Sequence, residues 1–206
     1  STCNGMTSAT LGNSATSIGN SAFSGCSSMQ SITIPESMTT IGEKAFINCV
    51  ALKNITIPDN VTTIGHSTFQ NCVNLTEATV GNGVTIIGNF MFRGCSALKN
   101  VTIGDKVTYI GTYAFSSCIK ITSFTIPASV NTIGECAFYY CRNLAEVYCK
   151  PTTPPATVAN TDTGLWSAFD ETATDHKIYV PTATIAAYKA ADGWKEYADA
   201  IVGYDF

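Results

Sequence analysis

The chain has 206 residues, of which 45% are hydrophobic and 13% charged, with a net charge of -4 and a pI near 5.0. That balance supplies a sizeable core for one domain or one short repeat array and excludes a disordered chain. No basic patch points to nucleic acid, and no apolar run approaches the roughly 20 residues of a transmembrane helix.

The chain opens at Ser1 with no initiator Met and no signal peptide, as a mature or trimmed form would. Cys3, Met6, Ala9 and Leu11 stand 23 residues ahead of Cys26, Met29, Ile32 and Ile34. The array is therefore expected to start inside a repeat, with further repeats or a cap before Ser1, because an open solenoid end exposes core residues.

An Ile-Gly pair then recurs at Ile18, Ile41, Ile64, Ile87, Ile110 and Ile133, each step 23 residues. Phe follows at 23, 46, 69, 92, 115 and 138, and Cys at 26, 49, 72, 95, 118 and 141. An apolar rank runs through Met29, Leu52, Leu75, Leu98, Ile121 and Leu144. One such unit cannot bury its own apolar residues, so the units must stack around a shared core. Segments such as Ile55-Thr56-Ile57 alternate in, out, in, and their stacking predicts a parallel sheet with neighbours about 4.8 Å apart. The Ala-Phe-x-x-Cys-x-x-Leu segment, apolar every third residue, predicts a helical or 3₁₀ turn opposite. The Gly after Ile marks a turn where a Cβ would clash or φ is positive. Pro35, Pro58 and Pro127 close strands where no ladder donor is needed. A Thr rank at 16, 39, 62, 85 and 108 predicts another short strand or turn.

The array is expected over 1–155, a variant terminal repeat over 156–181 and a helical cap over 182–206. Thr182 or Thr184 would be the N-cap, Asp192-Gly193 would break the helix, and Ile185, Tyr188, Trp194, Tyr197 and Ile201 would cover the last coil.

The pattern I-G-x-x-A-F-x-x-C-x-x-L-x-x-I-x-I-P resembles the BspA-like leucine-rich repeat of bacterial surface proteins, over residues 3 to 150. The tail extends the resemblance: a Pro-rich Pro151 to Pro155, Ala168-Phe169, Ile178-Tyr179-Val180-Pro181, and Tyr188 through Trp194. The resemblance implies a right-handed leucine-rich-repeat solenoid, mainly parallel β with short helical or 3₁₀ turns and a C-terminal α-helical cap. It also implies a non-catalytic, cofactor-free scaffold, secreted or on the cell surface, with a lipoprotein anchor as one form of attachment. Its expected partner is a protein on a host or bacterial surface; a glycan partner and a passive spacer are the alternatives.

Nine Cys in a secreted chain suggest disulfides, but seven of them, counting Cys3, share one rank. Parallel Cβ vectors about 4.8 Å apart fit disulfide geometry poorly, so the rank reads as small buried thiols. Cys149 replaces an inward Ile or Val. Cys136 lies off the rank at an expected exposed position and is the candidate reactive thiol. Cys3, near a mature start, has lipid modification as a second reading. A metal site is weakly supported, since Cys at 23-residue spacing lacks C-x-x-C geometry. His66 shares its rank with Asn20 and Asn89 and reads as a solvated edge.

The candidate ligand-binding face is the outward strand rank Thr33, Thr56, Thr79, Thr102, Thr125 and Tyr148, with Asn54, Glu77, Asn100 and Glu146 two residues earlier in their strands. The alternative is that Thr is simply a good exposed strand residue. Phe90, Tyr109, Tyr113, Tyr139, Tyr140 and Tyr148 add aromatics on differing ranks, for ligand contacts or for packing against the tail. The hydroxyl-rich strip also resembles ice-binding solenoids, though its ranks are too uneven to favour that.

Overall fold

Each unit sets inward apolar side chains on either side of an outward Thr, and in the computed structural model these segments stack in register as parallel strands. Residues 3, 5–158 and 167–206 are described. The chain winds about eight turns. One side carries the main-sheet strands β1 (Ser8–Thr10), β3 (Ser31–Thr33), β5 (Asn54–Ile57), β7 (Glu77–Val80), β9 (Asn100–Thr102), β11 (Ser123–Ile126), β13 (Glu146–Cys149), β15 (Lys177–Pro181) and β16 (Ile201–Tyr204). Between them lie the two-residue strands β2 (Ser17–Ile18), β4 (Thr40–Ile41), β6 (Thr63–Ile64), β8 (Ile86–Ile87), β10 (Tyr109–Ile110), β12 (Thr132–Ile133) and β14 (Ala156–Thr157). The main side is hydrogen-bonded in three stretches, β1-β3, β5-β7-β9 and β11-β13-β15-β16; the second side in two, β2-β4-β6 and β8-β10-β12-β14. The expected second strand beside the Thr16 rank is therefore present.

Between the two sides the Phe rank forms a continuous stack. Phe23, Phe46, Phe69, Phe92, Phe115, Phe138 and Phe169 follow one another with ring centroids 5.2–5.4 Å apart. Phe46 through Phe138 are fully buried. Here the chain runs as successive turns, with Cys72 N–H bonding Phe69 O and Leu75 N–H bonding Cys72 O. Two ranks in each coil take positive φ, and mostly without glycine: Ser67 and Asn71 at 56° and 59°, Phe90 at 58°, Tyr113 at 53°, Tyr140 at 62°, with glycine only at Gly25 and Gly94 of the second rank. That twist turns alternate N–H groups toward the next coil, as Ser67, Phe69 and Asn71 bond the carbonyls of Asn89, Met91 and Arg93. Glycine supplies this conformation most cheaply, yet the repeat spends its constant glycine elsewhere. A Cβ on Gly65 would meet Glu43 N at 2.3 Å, so the glycine of the Ile-Gly pair serves close coil-to-coil approach, and its φ is not positive.

The tail carries the expected variant repeat. Val147 pairs with Ile178, a 31-residue step, so the variant coil is longer, and part of it (159–166) lies outside the described residues. The expected C-terminal helix is present, and the coil that carries it also returns a strand to the sheet. Ile178 pairs with Ile201, restoring the 23-residue step, and β16 extends the main sheet in parallel. Within that coil helix is brief: a 3₁₀ turn at Thr182–Thr184, α1 at Ile185–Ala190 and a second 3₁₀ turn at Lys195–Tyr197. Thr184 precedes α1 but its hydroxyl bonds Pro181 O and caps nothing. Gly193, at φ 72°, follows the helix as expected. Tyr188, Trp194, Tyr197 and Ile201 are buried while Ile185 is half-buried. Trp194 Nε1–H donates to Pro155 O at 2.7 Å and Tyr188 O–H to Pro151 O at 2.8 Å. Two buried aromatics thus satisfy the carbonyls of the Pro-rich segment, which has no ladder of its own.

Candidate binding face

The outward rank lies on the main sheet in register. Thr10 faces Thr33; Thr56, Thr79 and Thr102 follow one another; Thr125, Tyr148 and Tyr179 do the same. Asn54, Glu77 and Asn100 are likewise aligned, and Ser123, Glu146 and Lys177 continue that row. Thr33, Thr56, Thr102 and Thr125 are exposed and Thr79 half-buried. The three hydrogen-bonded stretches bring these residues to one side of the molecule, with breaks after β3 and β9.

Two Thr ranks run along the solenoid and differ in what their hydroxyls do. Thr39, Thr62 and Thr108 donate to the carbonyls of Thr16, Thr39 and Thr85 in the preceding coil, at 3.0, 3.4 and 3.2 Å. Those hydroxyls staple coil to coil. On the main sheet, the side chains of Thr33, Thr56, Thr79, Thr102, Thr125, Asn54, Glu77 and Asn100 make no hydrogen bond to the described protein residues. Of the face residues, Glu146 and Tyr148 are engaged with each other, Glu146 accepting from Tyr148 O–H at 3.1 Å.

The cysteines depart from expectation in two places. Cys3 and Cys26 are joined in a disulfide, so the rank is not all thiol. Their Cα atoms lie 4.8 Å apart, within the range a disulfide spans. Cys136 is fully buried, at φ 55°, and not at an exposed position. It hydrogen-bonds the Tyr113 hydroxyl, and burial raises its pKa. Buried and held as the neutral thiol, Cys136 lacks the exposure and thiolate character of a reactive cysteine.

The rest of the rank does more than fill space. Cys49, Cys72, Cys95, Cys118 and Cys141 each donate Sγ–H to the carbonyl of a Phe in the preceding coil, Phe23 through Phe115, at 3.1–3.2 Å. Burial pushes the thiol pKa up to about 11 at Cys49 and about 12 at Cys95, Cys141 and Cys149. Thiolate being the nucleophile, the native protein is expected to be inert to a thiol reagent at pH 8. Denatured without reductant it should yield seven thiols, and after reduction nine. A native burst, or nine thiols before reduction, contradicts this account.

The His66 rank is also not merely a solvated edge. Asn20 Oδ1, His66 Nδ1 and Asn89 Oδ1 accept from the backbone N–H of Glu43, Asn89 and Thr112, at 2.9–3.0 Å. Among the described residues no three His, Cys, Asp or Glu side chains gather to hold a metal ion, and no helix is long and apolar enough to cross a membrane.

The aromatics are scattered: Tyr109 lies on β10, and Tyr139 and Tyr140 pair at 6.0 Å with Arg142 3.9 Å over the Tyr140 ring. Phe90 and Tyr113 stack on the turn side at 5.6 Å, with Arg93 5.7 Å from each ring. Tyr148 lies on the main sheet, where Tyr179 and Tyr204 join it. The latter two were not singled out from the sequence. Aligning Lys177–Pro181 with Glu146–Lys150, and then stepping 23 residues to Ala200–Tyr204, would have placed them.

The family model described as the BspA type leucine rich repeat region matches six copies, over residues 1–85 and 62–159. The chain belongs to this family. Among solved structures, the BspA type array is similar to a leucine-rich repeat protein of T. pallidum, 24% identical over 96% of this chain and 85% of that one, TM-score 0.67. A leucine-rich repeat protein from Eubacterium ventriosum is 27% identical over 81% of this chain and 43% of its own, TM-score 0.67. One from Bacteroides ovatus is 24% identical over 83% and 48%, TM-score 0.56. This BspA type chain thus spans less than half the length of the last two proteins. No curated protein matches it.

Proposed function

We propose that this chain is a non-catalytic binding scaffold, secreted or displayed on a cell surface, whose main-sheet strip takes a protein partner from a host or bacterial surface. The supporting observation is the contrast between the two Thr ranks. One is consumed in coil-to-coil hydrogen bonds, while the other presents unengaged hydroxyls, amides and carboxylates in register. Good strand propensity accounts for Thr in both ranks, but not for that division. Nine strands about 4.8 Å apart span about 40 Å, long enough to offer the about 800 Å² per partner of an ordinary specific interface.

A solid-phase screen of the chain against extracellular matrix proteins and whole bacterial cells tests this reading. Saturable binding to at least one of them is the expected result. Absence of binding throughout would leave a spacer as the better description.

A further inference from the structure

At the C-terminal end of the main sheet the polar strip gives way to aromatic rings. Tyr148 on β13 and Tyr179 on β15 are register partners, stacked at 4.9 Å and 15°. Tyr204 on β16 meets both edge-on, at 5.5 and 5.6 Å, and Phe206 packs on Tyr204 at 5.0 Å. Tyr204 and Phe206 nevertheless remain 43% and 51% exposed. Two depressions adjoin here. One, about 370 Å³, is lined by Thr125, Tyr148, Lys150, Tyr204 and Phe206. The other, about 410 Å³, shares Lys150, Tyr204 and Phe206 and adds Thr152, Thr182 and Asp205 among its walls. Together they make a shallow groove over the last strands.

We propose that this groove is a glycan-binding site for a short run of sugar units. The reading rests on the chain being a binding scaffold, but the ligand differs, and the groove adjoins the C-terminal end of the protein strip, sharing Thr125 and Tyr148 with it. The groove's chemistry selects the ligand. A protein partner is anchored best by a side chain filling a well-packed, desolvated pocket, and this groove is open, its aromatic walls interspersed with hydroxyls, an ammonium and a carboxylate. Its aromatic rings offer the contacts that the C–H face of a sugar ring makes, with a polar handle at each Tyr. Around them stand groups suited to sugar hydroxyls. The hydroxyls of Thr125, Thr152 and Tyr204 make no hydrogen bond to the described protein residues. The Lys150 ammonium forms no ion pair among the described residues.

Two internal bonds pre-orient the rim. Tyr148 O–H donates to Glu146, and Thr182 O–H donates to Asp205 at 2.8 Å. Each depression is of the size that holds a small ligand, about 300–1,000 Å³, and their shared wall suits consecutive units of one chain. Within the groove the Asp205 carboxylate offsets the Lys150 ammonium, as Glu146 and Lys177 offset each other in the adjoining row, which favours a neutral glycan over a polyanion.

Calorimetric titration with cellohexaose, chitohexaose, mannohexaose and a hyaluronan octasaccharide, beside a printed glycan array, tests the proposal. At least one neutral glycan should bind, and Tyr204→Ala and Tyr148→Ala should each weaken it about tenfold or more with the melting temperature held. Tyr113→Ala, on the turn side, and Thr56→Val, on the protein strip, should leave it unchanged. Silence across array and calorimetry overturns the proposal, as does binding that Tyr113→Ala weakens and Tyr204→Ala does not. A peptide library selected at the groove with no glycan signal makes it a protein-docking surface and equally overturns it. Binding of a protein to the Thr strip is read out separately, so either reading can fail alone.

Discussion

Phe92→Ala is expected to destabilise the protein by about 3–5 kcal/mol, the usual cost of emptying a buried aromatic site. The ring is fully buried and stacks at 5.4 Å on both Phe69 and Phe115. Its removal breaks the stack in mid-array, where no loop can collapse into the gap. In a solenoid each coil is held by its neighbours, so the loss falls on two coil interfaces. Against a total stability of about 5–15 kcal/mol for a folded domain, that is a large fraction. Urea unfolding should show a lower midpoint and, because coupling across the middle is weakened, a broader or split transition. Phe92→Leu should recover much of the loss. A change under about 1 kcal/mol would mean that the stack is not a principal source of cohesion.

The glycines of one rank should respond in opposite directions. On Gly65 a Cβ would lie 2.3 Å from Glu43 N and 2.5 Å from Glu43 Cα, both backbone atoms. Gly65 N–H is itself bonded to Ile41 O at 2.9 Å, so the coils are held at this distance. Gly65→Ala must push two coils apart, and about 3 kcal/mol is the expected loss. On Gly88 the nearest atom is the side-chain His66 Nδ1 at 3.2 Å, and on Gly19 nothing lies within 4 Å. Gly88→Ala should change stability by less than about 1 kcal/mol. Gly19→Ala should stabilise by about 0.4–1 kcal/mol through loss of unfolded-state freedom. Thermal melts of the three variants check the order; equal effects at all three would contradict close approach as the reason for the rank.

Much of this fold is legible in the sequence because its apolar ranks are set by a fixed step. Ile18, Phe46, Cys72, Leu98 and Val107 are all buried where the period places them. What the period cannot show is which way a turn twists. Ser67, Phe90, Tyr113 and Cys136 share a rank that takes positive φ, and none of those residues signals it. That twist also buries Cys136, whose chemically varied rank looked solvent-facing. The shortness of the C-terminal helix has a different reason. Ala186, Ala187, Ala190 and Ala191 have strong helix propensity, yet the helix ends after Ala190 because the chain must return to the sheet by Ile201. The match between Ile178-Tyr179-Val180 and Ile201-Val202-Gly203 is weak as residue identity and clear only as spacing.

The face was legible as a polar rank but its availability was not. Thr62 and Thr79 look alike in sequence; only the structure shows the first hydroxyl bonded to Thr39 O and the second unengaged.

That difference gives the most direct test of the central claim. With a partner from the screen in hand, its affinity should be measured for the double variant Glu77→Arg, Thr79→Arg on the main sheet and for Thr62→Arg on the stapling rank. The account predicts that the double variant loses binding by about 100-fold or more, the effect of about 3 kcal/mol at an interface centre, with an unchanged melting temperature. Thr62→Arg should bind as the unmodified chain does. Undiminished binding by the double variant, with loss in Thr62→Arg, would place the binding surface on the other side of the solenoid and contradict the account.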